Sequence, residues 1–141
     1  MHPWKLRRAA RTIHGGGVIA YPTETVCGLG CNPADPLAVE RIRTLKGRAA
    51  NKGLILVAPR LALLSPWIAP LTEAQRQRLE SPGERPTTWI VAANADTPVW
   101  LTGGRPTLAV RITDHPVVSA LCEAVLLPLV STSANPTGRP P

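Results

Sequence analysis

Hydrophobic and polar positions change period several times along this chain, and each change marks an element. Trp4, Leu6, Ala9, Ala10 and Ile13 recur at helical spacing with Arg7, Arg8 and Arg11 between them, which predicts a helix over residues 4–14. Three glycines at 15–17 should end it, because glycine accepts a left-handed C-cap without steric penalty. Residues 18–21 read as a short buried strand closed by Pro22. Residues 26–31 read as an extended segment in which Gly28 and Gly30 permit close backbone approach. Asp35 followed by Pro36 predicts a capped helix start, with Leu37, Val39, Ile42 and Leu45 turned inward and an end near Lys46.

The unbroken apolar run over residues 53–58 has the signature of an interior strand. Short helical stretches are expected at 61–64 and at 72–79, the second with Thr72 as its cap. Strands follow at 87–93 and 107–112, then a helix over 115–125 with Pro116 in its first turn and Asp114 as cap, then a last strand over 128–131. Strands alternating with helices predict an α/β (α+β) fold, a single twisted mixed β-sheet with flanking helices. No repeat, low-complexity tract or linker divides residues 1–141, so one domain is expected.

Composition narrows the function. A hydrophobic fraction of 44% supports a buried core and excludes a disordered chain. Sixteen basic residues against 9 acidic ones leave a net charge of +7, and 13 of the cations are arginines. That surplus predicts an anionic partner: phosphate, nucleotide or nucleic acid. With four Trp, one Tyr and no Phe, a module that stacks several bases on aromatics is a poor fit. Cys27, Cys31 and Cys122 are an odd number and too few for a disulfide scaffold, so reduced thiols in a cytoplasmic protein are expected. The first 14 residues carry charge without an apolar stretch, which is not a signal peptide, and no apolar run is long enough to span a bilayer. A soluble, basic, cytoplasmic protein is the expectation.

Three segments could carry chemistry. Lys46-Gly-Arg48-Ala-Ala-Asn-Lys52 holds three cations in seven residues, just before the interior strand. It is either a solvated basic loop or, anchored at both ends, a polyphosphate cradle in which Arg supplies a planar fork and Lys a point charge. Ser131-Thr-Ser133-Ala-Asn135-Pro-Thr-Gly138 follows an apolar strand. It reads either as a polar turn or as a donor and acceptor cluster where open sheets bind ligands. Tyr21-Pro-Thr-Glu-Thr25-Val-Cys-Gly28-Leu-Gly30 leaves a strand with a carboxylate and two hydroxyls, and a glycine-lined loop of this kind can bring backbone N–H groups to an anion. Arg111 ends a strand, where it either faces a ligand pocket or makes a core-edge salt bridge. Walker A and dinucleotide spacings are absent, and Cys27 and Cys31 lack the partners of a zinc site. Asp114-His115 has no nucleophile elbow to complete a triad.

Taken together, the blocks YPTETVCGLG, LKGRAANKGLILVA, LAVRITDHPVVSALC and PLVSTSANPTGRPP, in this order from Val18 to Pro141, resemble the YrdC family of threonylcarbamoyl-AMP synthases. The resemblance implies a YrdC-like twisted sheet with a concave, positively charged face. It implies condensation of L-threonine, bicarbonate and ATP into threonylcarbamoyl-adenylate with release of pyrophosphate. Partner transferase proteins then carry the group to an adenosine of tRNA. Position by position, it gives Lys46, Arg48 and Lys52 a catalytic role at the ATP phosphates. Thr107, Ser133 and Asn135 then join Arg48 and Lys52 in holding ATP, and Thr25, Arg111 and Ser131 hold threonine. No resident metal site is implied; Mg²⁺ arrives with ATP.

This chain departs from the family pattern at Cys27, where an aromatic is common, and at Ala49, where proline is frequent. Residues 81–88 (SPGERPTT) replace the usual W-P-G-P-x-T. Family members also continue beyond position 141, so a domain lacking its C-terminal part, with a site open on one side, is expected. The alternative functions are a non-enzymatic binder of double-stranded RNA or tRNA, and a carbamoyl-handling domain of a hydrogenase maturation protein.

Overall fold

The computed structural model describes residues 3–22, 27–46, 54–80 and 87–133. The first helix, α1 (Pro3–His14), buries Ile13 and rests Leu6, Ala9 and Ala10 against the core. Trp4 is nearly half exposed instead, with the Arg8 guanidinium 5.4 Å from its ring centroid. The glycine stop forms as expected: the N–H groups of Gly15, Gly16 and Gly17 donate to the carbonyls of Arg11, Ile13 and Thr12. Gly16 takes φ +84°, and a Cβ there would lie 2.6 Å from Asp35 Oδ2. That carboxylate begins α2 (Pro36–Lys46), its Oδ1 accepting from the N–H groups of Leu37 and Ala38 at 3.0 and 3.2 Å. A cap of this kind contributes about 1 kcal/mol.

The inward face of α2 differs from expectation. Ala38, Val39, Ile42 and Arg43 are buried, whereas Leu37 and Leu45 are 73% and 62% exposed. Leu37, Arg41, Thr44 and Leu45 instead line an outer groove of about 550 Å³ with Val18 and Glu40. The face is rotated because Arg43 is drawn in: its Nη2 donates to the carbonyl of Trp100. Trp100 belongs to α5 (Val99–Thr102), a turn of helix that the hydropathy pattern does not reveal, and its indole N–H donates to the carbonyl of Pro33 at 3.0 Å.

Among the described residues six strands form one sheet: β1 (Ile19–Pro22), β2 (Cys27–Cys31), β3 (Ile55–Ala58), β4 (Trp89–Ala92), β5 (Thr107–Ile112) and β6 (Leu129–Ser133), in the spatial order β1-β2-β6-β3-β5-β4. Of the neighbouring strand pairs, β3 and β5 alone run parallel. The long connection between them provides the crossover that parallel strands need. It holds α3 (Leu61–Leu64), a 3₁₀ turn (Ser65–Trp67), α4 (Glu73–Glu80), β4 and α5. The α4 start is a capping box, in which Gln75 N–H donates to Thr72 Oγ1 and Thr72 N–H to Gln75 Oε1. As expected, the apolar run of β3 lies inside the sheet, with Leu56, Val57 and Ala58 buried.

The last helix, α6 (Pro116–Val125), packs on α1, β1 and β3 and buries Val118, Leu121, Cys122 and Val125. Its cap is the ring of His115, whose Nδ1 accepts from Val117 N–H at 3.3 Å, not Asp114. Pro116 brings the chain into the helix one residue later than an Asp114 cap would require.

Candidate active site

Residues directly opposite each other in a sheet share a face, as do alternate residues along a strand. The register therefore draws one row across all six strands: Ile19, Gly30, Ser131, Ile55, Ala109 and Ile90. On β5, Thr107, Ala109 and Arg111 are half-buried and alternate with buried Leu108 and Val110. On β4, Ile90 and Ala92 are exposed while Val91 is buried. This is the open face of the sheet. It closes near Arg111, whose row continues through buried Val57 and Leu129.

Three of the expected site residues have described side-chain surroundings, and all three lie on this face. Thr107 and Arg111 are four residues apart on β5, about 13 Å along the strand. Ser131 sits two strands away on β6, about 12 Å from Arg111 at the backbone. Lys46 ends α2, and Ser133 ends β6 opposite Gly28. Thr25, Arg48, Lys52 and Asn135 lie outside the described residues, although the segment bearing Arg48 and Lys52 leads directly into β3.

Arg111 makes no core-edge salt bridge among the described residues. Its Nε and Nη2 both donate to Thr88 Oγ1, at 3.2 and 2.8 Å. Thr88 immediately precedes β4, at the position that continues the β4–β5 register to Arg111. Ser131 Oγ accepts from the hydroxyl of Tyr21 at 2.8 Å. Sequence reasoning singled out neither Thr88 nor the Tyr21 hydroxyl. Thr88 was readable only once the β4–β5 register was known.

Two local expectations change here. Thr132 and Ser133 extend the last strand past its expected end at Ser131, because they pair with Leu29 and Gly28 of β2. Gly28 and Gly30 likewise lie in a strand paired on both sides, so they form no anion-cradling loop. The close approach that Gly30 allows is to a side chain: a Cβ there would sit 2.5 Å from Tyr21 Cε1.

The described thiols are unsuited to nucleophilic work. Burial pushes Cys31 and Cys122 up to about 12, with Asp35 adding to the effect at Cys31. Among the described residues no group of three His, Cys, Asp or Glu side chains could hold a metal ion. An ion pair among the described residues lies elsewhere: half-exposed Arg60 forks onto both oxygens of Glu123 at 2.9 Å.

A cation, two hydroxyls and a partly buried apolar floor thus share the open side of a mixed sheet in an α/β fold. No described helix is long and apolar enough to cross a membrane. The chain belongs to the Sua5/YciO/YrdC family, whose model, described as telomere recombination, matches residues 11–141. It is 53% identical over 138 residues to the threonylcarbamoyl-AMP synthase of Nitrosococcus oceani, covering 98% of this chain and 75% of that protein. The enzyme of the same name from Alkalilimnicola ehrlichii is 51% identical, with 98% and 72% covered. Among solved structures, P. abyssi Sua5 complexed with L-threonine superposes with a TM-score of 0.91 at 35% identity, covering 99% of this chain and 41% of that one.

Proposed function

We propose that this chain is a threonylcarbamoyl-AMP synthase, which condenses L-threonine, bicarbonate and ATP and releases pyrophosphate. The observation that carries the reading is the shared open face of Thr107, Arg111 and Ser131 in a chain so close to enzymes of that name. In this reading Arg111 pairs with the threonine carboxylate, and Ser131 and Thr25 complete the amino-acid pocket. Thr107, Ser133 and Asn135 hold ATP, with Arg48 and Lys52 at its phosphates beside Lys46.

The chemistry follows from charge. The threonine amine and bicarbonate lose water to give a carbamate. A carbamate oxygen then forms a bond to the α-phosphorus while the bond to the departing pyrophosphate breaks. Negative charge grows on the phosphoryl oxygens, where cations already in position stabilise it without reorganisation. No covalent nucleophile is required. Mg²⁺ enters as part of the nucleotide substrate, coordinated mainly by phosphates and water. The product passes to transferase partners that modify tRNA, in the cytoplasm where these substrates meet.

The test is pyrophosphate release by the purified chain with each substrate omitted in turn. Release that requires threonine, bicarbonate and ATP together is expected. Salt-dependent RNA binding without any such release would overturn the reading in favour of a binding module.

A further inference from the structure

We infer that Tyr21 is a positioning residue that sets the direction of the Ser131 hydroxyl, so that Ser131 offers its proton to the amino-acid substrate. Tyr21 stands on the edge strand β1, with β2 between it and β6. Its ring crosses that gap because Gly30 has no side chain: a Cβ at position 30 would lie 2.5 Å from Tyr21 Cε1 and 3.2 Å from the Val130 carbonyl oxygen. The side chain is packed away, at 2% exposure, yet its hydroxyl reaches half-exposed Ser131 on the open face at 2.8 Å.

The direction of this hydrogen bond follows from acidity. A phenol, with a pKa near 10, is a far better donor than an aliphatic alcohol. The Tyr21 proton therefore goes to Ser131 Oγ and occupies one of its lone pairs. The serine proton is left to donate elsewhere, and the open face is where a partner can be. With Arg111, which has only donors, the face then presents donors to a ligand bearing oxygen anions. Without the phenol, the Ser131 hydroxyl loses this restraint and can serve as acceptor as well as donor, so binding must first order it.

This inference rests on the reading of Ser131 as a threonine contact, and the experiment separates the two. Tyr21→Phe keeps the buried ring and removes only the hydroxyl. The expected result is a KM for threonine raised about fivefold, in the range one neutral hydrogen bond supports. The KM for ATP and kcat should stay near their starting values. In a Ser131→Ala background the same substitution should have no further effect. If Ser131→Ala raises the threonine KM but Tyr21→Phe does not, or acts by the same factor in both backgrounds, the positioning role is wrong and the pocket stands. If Ser131→Ala leaves the threonine KM unchanged, the pocket reading falls and the inference with it.

A second measurement needs no substitution. Tyr21 is the one tyrosine of the chain, so 3-fluorotyrosine incorporation labels it alone. Its ¹⁹F resonance should shift on saturation with threonine, and that shift should collapse in Ser131→Ala. A resonance that threonine does not move would overturn the inference.

Discussion

Arg111 turns Nε and Nη2 onto the hydroxyl of Thr88, one strand away, and this fixes the plane of the guanidinium on the open face. An arginine side chain otherwise loses much rotamer freedom when it binds a ligand. Thr88→Val keeps the β-branched shape and removes the acceptor. The threonine KM should rise roughly tenfold, as expected for losing a hydrogen bond to a charged group. The ATP KM should barely change, and a threonine KM equal to that of the parent chain would show that Thr88 does not hold Arg111 for the substrate.

The basic segment is separable from the rest of the charge. Lys52→Ala should weaken ATP binding and slow adenylate formation far more than Arg60→Ala. Arg60 is committed to the carboxylate of Glu123, so its loss removes an exposed ion pair. Isothermal titration with ATP and pyrophosphate release on both variants provide the comparison. Equal effects would reduce the segment to a solvated basic face.

Substrate choice probes the pocket from the ligand side. Serine lacks the threonine methyl, which is worth roughly 1–3 kcal/mol in a fitted apolar site. Threonine should therefore be preferred in kcat/KM by about 10-fold or somewhat more. Competition between the two amino acids, read as product ratio, measures this directly, and parity would remove the amino-acid pocket from this face.

Thiol reactivity should follow burial. Cys31 and Cys122 are both pushed up to about 12, so neither carries appreciable thiolate at neutral or mildly alkaline pH. In a Cys27→Ala variant, iodoacetamide at pH 8 should leave both unmodified in the folded protein and label both in denaturant. Mass spectrometry gives the count, and rapid labelling of either thiol in the folded state would contradict the packing described here.

Local sequence determined most elements of this protein, because their signals involve neighbours. The glycine stop after α1, the Asp35 cap of α2, the Thr72 cap of α4 and the apolar run of β3 all act over a few residues, and all form as read. The family was likewise legible in the four sequence blocks. What escaped depends on contacts between distant positions. The outward turn of Leu37 and Leu45 needs Arg43 to find the Trp100 carbonyl, 57 residues away. The Tyr21–Ser131 hydrogen bond spans 110 residues, and the Thr88–Arg111 contact depends on which residue of β4 faces which of β5. A one-residue slip in either register would send those side chains to the opposite face. Residue types are local properties, but the register that gathers them on one open face is decided by packing across the whole sheet.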